Sequence, residues 1–276
     1  MNCFVCGGEM HPFFEKNFSM AKLQKCEYVR CENCGLVVAK TLYEMPHDNW
    51  IMLNYECHDK FFKGELDDMK IDPKARQRIE YQSELFEDMI NHGIFKINWR
   101  TLDYGAGNGL LSDKINEKLQ RNWLKKFEAY VTSEGKDYLS PEEVLPASFD
   151  FVVTTAVFEH LLGNKGDVEK IIDLLNSNGV MALHTLICEE VPQDPNWFYL
   201  LPIHCTFWTN KAMSIIYEKN NFIGCAYNRE AQMWLMFRRA EDFLRLESCQ
   251  KKLRGNWTLS EKFVDYWKTK PYRNIS

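Results

Sequence analysis

Residues 102–109, LDYGAGNG, decide how the chain is interpreted, because three glycines join a short apolar run to the start of a helical pattern. A turn of this kind lets the backbone approach a phosphate, a nucleotide or another small ligand closely. The Gly-Lys-Ser/Thr ending of a P-loop is absent, and the spacing is G-x-G-x-G where a nicotinamide site prefers G-x-G-x-x-G. Taken alone, the turn fits an ordinary strand-to-helix connection equally well.

The segments around this turn alternate between strand and helix patterns. FDFVVTTAVF and VMALHTLI are continuous apolar runs, typical of central parallel strands. KARQRIEYQSELFEDMINHG has helical spacing, with Asp72 and Pro73 as its start and Gly93 as its stop. A second helix start is predicted at residues 140–143, SPEE, and FIGCAYN and AQMWLMFRR lie close enough to pair as a hairpin. The pattern predicts an α/β domain with a mostly parallel sheet and helices on both faces.

Composition limits the class of protein. The 276 residues are 45% hydrophobic, enough for one large domain plus a small module. The net charge of −5 favours a small or soluble substrate over a nucleic acid, whose binding depends on basic side chains. We expect no secretory signal and no membrane span. Ten cysteines without an export signal indicate a reducing compartment, so we predict a cytoplasmic protein.

The N-terminal segment contains two CxxCG units, CFVCGG and CENCGL. Four thiolates in two such turns predict a closed, structural Zn²⁺ site, because tetrahedral coordination by four cysteines leaves no open position. The alternative is four unrelated buried cysteines, and Cys26 and His11 are fallback ligands. The predicted zinc ligands are Cys3, Cys6, Cys31 and Cys34.

Later segments give the glycine turn a more specific interpretation. Glu128, in KKFEAY, ends a weakly patterned second strand, where a carboxylate can accept both hydroxyls of a ribose. The alternative for Glu128 is a solvated surface acid. FDFVVTTAVFEHL and LLNSNGVMALHTL then follow in the order strand, helix, turn and strand.

With these motifs, residues 99–240 resemble class I S-adenosylmethionine-dependent methyltransferases. LDYGAGNG is similar to the first motif of that family, and FDFVVTTAVFEHL to the stretch around its fourth strand. The resemblance implies a Rossmann-like, doubly wound, seven-stranded sheet and S-adenosylmethionine as cofactor. It also implies these cofactor-binding residues: Asp103 and the backbone of Gly105, Ala106 and Gly107 for the methionine end, Glu128 for the ribose, and Thr155 lining the site.

The sequence departs from the family between Glu128 and Phe149, where the usual helix and third strand are compressed and Asp137 is a doubtful adenine-side contact. We divide the chain into four predicted parts. They are a zinc-ribbon module (1–45), a helical linker or cap (46–98), the S-adenosylmethionine-binding domain (99–240) and a C-terminal helical tail (241–276).

Methyl transfer to a hydroxyl needs a general base, and histidine is the first candidate because its pKa lies near neutrality. His204, in YLLPIHCTFWT, is the first choice and His160 the second, whereas His184 within an apolar strand is interpreted as a core residue. The aromatic residues of 197–208 either close over an acceptor or form local core.

The predicted acceptor is a small molecule, a sugar or a glycan precursor. Two alternatives remain open. The chain also resembles zinc-ribbon ribosomal RNA methyltransferases, although these should carry a basic surface, and a non-catalytic methyltransferase-like scaffold would bind a protein partner. Nucleic acid is the less favoured partner, and no membrane association is predicted. The methylated atom and the oligomeric state remain open.

Overall fold

A computed structural model describes residues 1–62, 73–129, 137–163 and 166–265, with the backbone alone for 58–62 and 73–74. The chain forms two compact units, each assembled from separate segments. The first unit comprises Met1–Asp72, Phe158–Val168 and Leu186–Ile216. The second comprises Pro73–Val157, Glu169–Thr185 and Tyr217–Ser276. The four contiguous parts proposed from the sequence stay a prediction, because each compact unit includes residues from more than one of them.

The first unit is built on a five-stranded sheet, in the order β1-β2-β3-β9-β8. Neighbouring strands are antiparallel except for the parallel pair β8 and β9. Two helices, α1 (Lys40–Tyr43) and α2 (His47–Phe62), follow β3. The strands are β1 (Met10–Asn17), β2 (Lys25–Cys31), β3 (Val37–Ala39), β8 (Ile187–Cys188) and β9 (Thr206–Thr209).

The second unit is built on a seven-stranded sheet, in the order β12-β10-β11-β7-β6-β4-β5. The strands from β7 to β5 are parallel, and β11, β10 and β12 are antiparallel to their neighbours. The strands are β4 (Thr101–Tyr104), β5 (Leu124–Phe127), β6 (Phe149–Thr155), β7 (Leu175–His184), β10 (Gly224–Asn228), β11 (Met233–Phe237) and β12 (Trp257–Ser260).

The remaining helices are α3 (Pro73–Asn91), α4 (Leu110–Lys118), α5 (Asp167–Ile172), α6 (Asn210–Lys219) and α7 (Ala240–Cys249). In α3, Phe86 and Met89 are fully buried in the core of the second unit, as the helical spacing predicts. Gly93 has a φ of +69° just after the helix, in agreement with its predicted role as a stop. The predicted cap, Asp72, lies outside the described residues. None of the helices in the described part of the chain has the length and apolar character that a membrane crossing requires.

The structure confirms the α/β class, the seven-stranded sheet and the hairpin of β10 and β11, in which Ala226 faces Leu235. Two local expectations need correction. The helix start at residues 140–143 yields only one 3-10 turn, Pro141–Glu143, although its capping box forms. The tail predicted to be helical contains α7 and then strand β12, which pairs with β10 at the sheet edge.

The sheet has seven strands although the region after β5 is compressed. Where the family has its third strand, the described residues hold a single parallel bridge between Lys126 and Tyr138. Strand β12 is instead added at the opposite edge, beside β10. The sheet therefore keeps its strand number while its β5 edge is short.

Candidate functional site

The glycine turn between β4 and α4 has a backbone that only glycine adopts easily. Gly105, Gly107 and Gly109 have φ values of +72°, +55° and +75°, which strain any residue with a Cβ. A Cβ at Gly105 would lie 2.5 Å from Val157 Cγ2, and one at Gly109 would lie 2.7 Å from Lys126 Cε. At Gly107 no described atom comes within 4 Å of that position. The backbone conformation favours glycine at all three positions. Packing against Val157 also excludes a Cβ at Gly105, while Gly107 borders open space.

Hydrogen bonds from the end of β5 hold this turn. The N–H groups of Gly105 and Ala106 both donate to the Phe127 carbonyl oxygen, at 2.9 and 3.0 Å. The Gly107 N–H donates to the Glu128 carboxylate at 2.9 Å, and the Tyr138 hydroxyl donates to the Gly107 carbonyl oxygen at 2.7 Å. Glu128 therefore lies against the turn, and Tyr138 is a second contact that the sequence analysis missed.

Asp103 lies beneath the turn, 1% exposed, near the end of β4. Ser112 Oγ donates to its Oδ2 at 2.7 Å, whereas its Oδ1 has no hydrogen-bond partner within the described ranges. Burial raises the pKa of Asp103 to about 7, against the smaller opposing effect of the Ser112 hydrogen bond. Near neutral pH this carboxyl group therefore titrates, and its charge is costly.

The weak pattern of β5 has a structural cause. Lys126 is 6% exposed and packs its stem against Gly109, while its ammonium group pairs with the Asp113 carboxylate. The same ammonium lies 5.3 Å from the centre of the Tyr138 ring. A lysine at a buried strand position interrupts the apolar pattern from which a strand is predicted. In the structure its side chain packs against Gly109 of the turn.

Thr155 is the last residue of β6, at the carboxyl edge where the parallel strands of this sheet end. Ala156 follows with a φ of +55°, a strained value for alanine, and its N–H donates to the His184 carbonyl oxygen at 2.9 Å. In open α/β sheets, ligands bind at this edge. Asp137 instead binds the Asn122 amide at 2.8 Å, which leaves the suggested adenine contact without support.

In the first unit the four predicted zinc ligands come together. Their sulfur atoms all lie within 4.8 Å of one another, with Cys3 to Cys34 at 3.6 Å and Cys6 to Cys31 at 3.4 Å. The thiol of Cys34 hydrogen-bonds to Cys3 and lowers the pKa of Cys3 to about 5. The fallback ligand Cys26 is buried elsewhere, and burial raises the pKa of its thiol to about 11. His11 lies in a separate, exposed group with Glu9 and Glu32.

The two predicted base candidates also meet in the first unit. The rings of His160 and His204 pack edge to face, 4.8 Å between centres. His160 Nδ1 lies 3.0 Å from the Ile203 carbonyl oxygen, and His204 Nδ1 lies 2.8 Å from the Tyr199 carbonyl oxygen. Burial lowers the pKa of His204 well below 6.5, with a smaller contribution from His160. Glu159, which the sequence analysis passed over, joins this pair and is 3% exposed.

The aromatic residues of 197–208 form mostly core. Trp197 and Tyr199 pack against Phe207, which in turn contacts Tyr28 of β2. Phe198 is the exception, with 65% of its surface exposed. The core alternative therefore describes this segment better than a closing lid.

Comparison with known proteins gives one family match. The matching family model is described as a methyltransferase domain, and it covers residues 69–223, more than half of the chain. A search of curated proteins finds no match.

Many solved structures are also similar to the chain. One is a possible histamine N-methyltransferase from Thermotoga maritima, with 11% identity over 69% of this chain and 98% of that chain, and a TM-score of 0.40. Another is the plantazolicin methyltransferase BpumL in complex with SAH, with 10% identity over 72% and 93%, and a TM-score of 0.39. A third is the YcgJ protein from Bacillus subtilis, with 17% identity over 54% and 73%, and a TM-score of 0.39. Sequence identities and TM-scores this low do not identify the methyl acceptor of the chain.

Proposed function

The chain belongs to the family of methyltransferase domains, and on that premise we propose that it transfers a methyl group to a small molecule of the sugar or glycan-precursor class, with a histidine as general base. Membership of the family makes it an S-adenosylmethionine-dependent enzyme. The observation that carries the methyl-transfer activity is the glycine turn of residues 105–109, with open space at Gly107 and a carboxylate beside it, and the net charge of −5 favours a small acceptor over a nucleic acid.

These residues fit the cofactor. The open position at Gly107 leaves room for a ligand against the backbone, and Asp103, Gly105, Ala106 and Gly107 would hold its methionine end. Glu128 would bind the ribose, because its carboxylate lies against the turn and a carboxylate accepts hydrogen bonds from hydroxyl groups. Thr155, at the carboxyl end of β6, would line the same site.

When bound, S-adenosylmethionine would supply an electrophilic methyl group and leave as the neutral sulfide, and the acceptor atom that receives the methyl group would give up a proton. The chain itself must position the acceptor and take up or release that proton. We assign this task to His204 and then His160. A carbonyl oxygen can only accept a hydrogen bond, so Nδ1 of each ring carries the hydrogen and Nε2 keeps a lone pair.

We propose in addition that the four-cysteine cluster holds a structural Zn²⁺ ion. Two Zn–S bonds of about 2.3 Å at a tetrahedral angle place sulfur atoms about 3.8 Å apart, close to the 3.4 and 3.6 Å in the structure. Thiolates must remain reduced to bind zinc, and all ten cysteines are free thiols, which supports a cytoplasmic location.

The test of the acceptor uses the full, zinc-loaded chain and S-adenosylmethionine labelled on its methyl group. We expect label to enter members of a panel of nucleotide-linked sugars and simple glycans, and Glu128→Gln to weaken cofactor binding at least about tenfold in calorimetry, because charged hydrogen bonds contribute about 1.5–3 kcal/mol. Glu117→Gln, an exposed carboxylate on α4, is the matched control and should bind the cofactor normally. Label entering ribosomal RNA and not the sugars would overturn the proposed acceptor, and absence of cofactor binding would favour the scaffold interpretation.

A further inference from the structure

Three side chains of the first unit, Glu159, His160 and His204, converge on one point. Each offers one ligand atom, and these atoms all lie within 4.8 Å of one another. Glu159 and His160 lie in the 3-10 helix Phe158–His160, and His204 lies just before β9. The backbone fixes this convergence, because the Cys205 N–H donates to the Glu159 carbonyl oxygen at 2.7 Å.

The orientation of the two rings is that of metal ligands. Histidines that bind metals usually donate their other N–H to a backbone carbonyl or a carboxylate, which fixes the tautomer and aims the free nitrogen. His160 and His204 both do so, toward Ile203 and Tyr199. Two separate carbonyl groups therefore hold both rings with Nε2 as the nitrogen that carries a lone pair.

Two members of this group are shielded from water. Glu159 is 3% exposed and His204 is 6% exposed. Two imidazoles and one carboxylate, with further positions open, form a common ligand set for first-row divalent metals.

We propose that Glu159, His160 and His204 bind a divalent first-row metal ion, at a site separate from the four-cysteine cluster. The site itself stands on the geometry of the three side chains, whereas its part in methyl transfer rests on the proposed function. There, an acceptor hydroxyl would occupy an open coordination position and lose its proton more easily to water, because a bound cation stabilises the alkoxide. Both histidines would then be ligands, water would take the acceptor's proton, and neither histidine would act as the base.

The structure also supplies the appropriate control. A second group, of one histidine and two carboxylates (Glu9, His11 and Glu32), lies on the surface of the same unit and is exposed throughout. Its His11 ring already pairs with the Glu32 carboxylate at 3.3 Å. A histidine variant at each group therefore distinguishes binding at the buried group from binding at the exposed one.

Mn²⁺ is the probe, because binding removes the six-line signal of the free ion from its electron paramagnetic resonance spectrum. The full chain is prepared with one equivalent of zinc for the four-cysteine cluster, because excess zinc would occupy a histidine and carboxylate site ahead of Mn²⁺. Titration of this chain should show one Mn²⁺ bound per chain. Glu159→Gln, which keeps the shape of the side chain, and His204→Ala should each weaken binding at least about tenfold, whereas His11→Asn should leave it unchanged. Zinc content and thermal unfolding establish that each variant is folded.

Calorimetry with S-adenosylmethionine on the same samples keeps the two proposals distinguishable. A wild-type chain that binds the cofactor but no Mn²⁺, or binds Mn²⁺ equally well in Glu159→Gln, overturns the metal site and leaves the proposed function standing. A chain that binds Mn²⁺ at the buried site but does not bind S-adenosylmethionine would support the metal site and overturn the proposed function. Mn²⁺ binding lost in His11→Asn would assign the ion to the exposed group and also overturn the proposal.

Discussion

Replacing Asp103 with asparagine should stabilise the fold by an amount that grows with pH. The buried carboxyl has a pKa of about 7 in the folded chain, against 3.8 for an ordinary aspartate. Between these two values the folded state binds more protons than the unfolded state, so the free energy of unfolding falls as pH rises through this range. Above pH 7 the folded chain carries the full cost of a buried, ionised group.

The magnitude follows from the two pKa values. At about 1.4 kcal/mol for each tenfold change in proton concentration, the ionisation of Asp103 costs about 1.7 kcal/mol at pH 5 and about 4 kcal/mol at pH 8. The asparagine side chain of the variant has no charge to ionise. The difference in unfolding free energy between Asp103→Asn and wild type should therefore increase by about 2 to 3 kcal/mol between pH 5 and pH 8.

Urea unfolding of both proteins at several pH values measures this difference. Because the two chains share every other titrating group, including the four clustered cysteines, those contributions cancel at each pH. Glu117→Gln, which removes an exposed carboxylate from α4, serves as the control for the loss of a negative charge at the surface. A difference between Asp103→Asn and wild type that is also constant from pH 5 to pH 8 would refute the argument from burial.

Three further predictions concern the turn and the cysteine cluster. Gly107→Ala should lower the free energy of unfolding by about 1 kcal/mol, because φ is +55° there. It should also weaken S-adenosylmethionine binding at least about tenfold in calorimetry, because the added methyl group fills the open space. Unchanged affinity would mean that the ligand lies elsewhere. Tyr138→Phe keeps the ring, removes the hydrogen bond to the Gly107 carbonyl and should lower the urea unfolding free energy by about 1 kcal/mol. No loss at all would mean that this hydrogen bond does not stabilise the turn. Cys34→Ser should reduce the zinc content from one ion per chain to near zero in elemental analysis, together with a lower melting temperature, and retention of a full zinc ion would show that Cys34 is not a ligand.

The parts of the fold that sequence predicts well depend on local patterns. The glycine turn, the apolar strands β6 and β7 and the hairpin of β10 and β11 each follow from a few adjacent residues. The four cysteines are recognisable because a fixed short spacing is itself the signal. Such features need no knowledge of what lies across the molecule.

The parts that sequence does not predict depend on distant segments. Tyr138 contacts Gly107 only because the chain after β5 returns to it, and no pattern around residue 138 indicates that return. Glu159 looks like an ordinary acid until His204, 45 positions later in the sequence, is placed beside it. The pairing of β3 with β9 joins residues 37–38 to 206–207. Its partners are set by burial of the whole sheet, which a window of sequence does not contain.

The pairing of β3 with β9 links the four-cysteine cluster to the segment that carries His204. Strand β3 bonds to β2 on one side and to β9 on the other, and the Thr209 hydroxyl donates to the Cys34 carbonyl oxygen at 2.5 Å. If the four thiolates hold zinc as proposed, the free energy of zinc binding also stabilises β9, and order in β9 strengthens zinc binding by the same amount. His204 lies two residues before β9. Removal of that ion would then loosen the histidine pair without any change in the residues that form it.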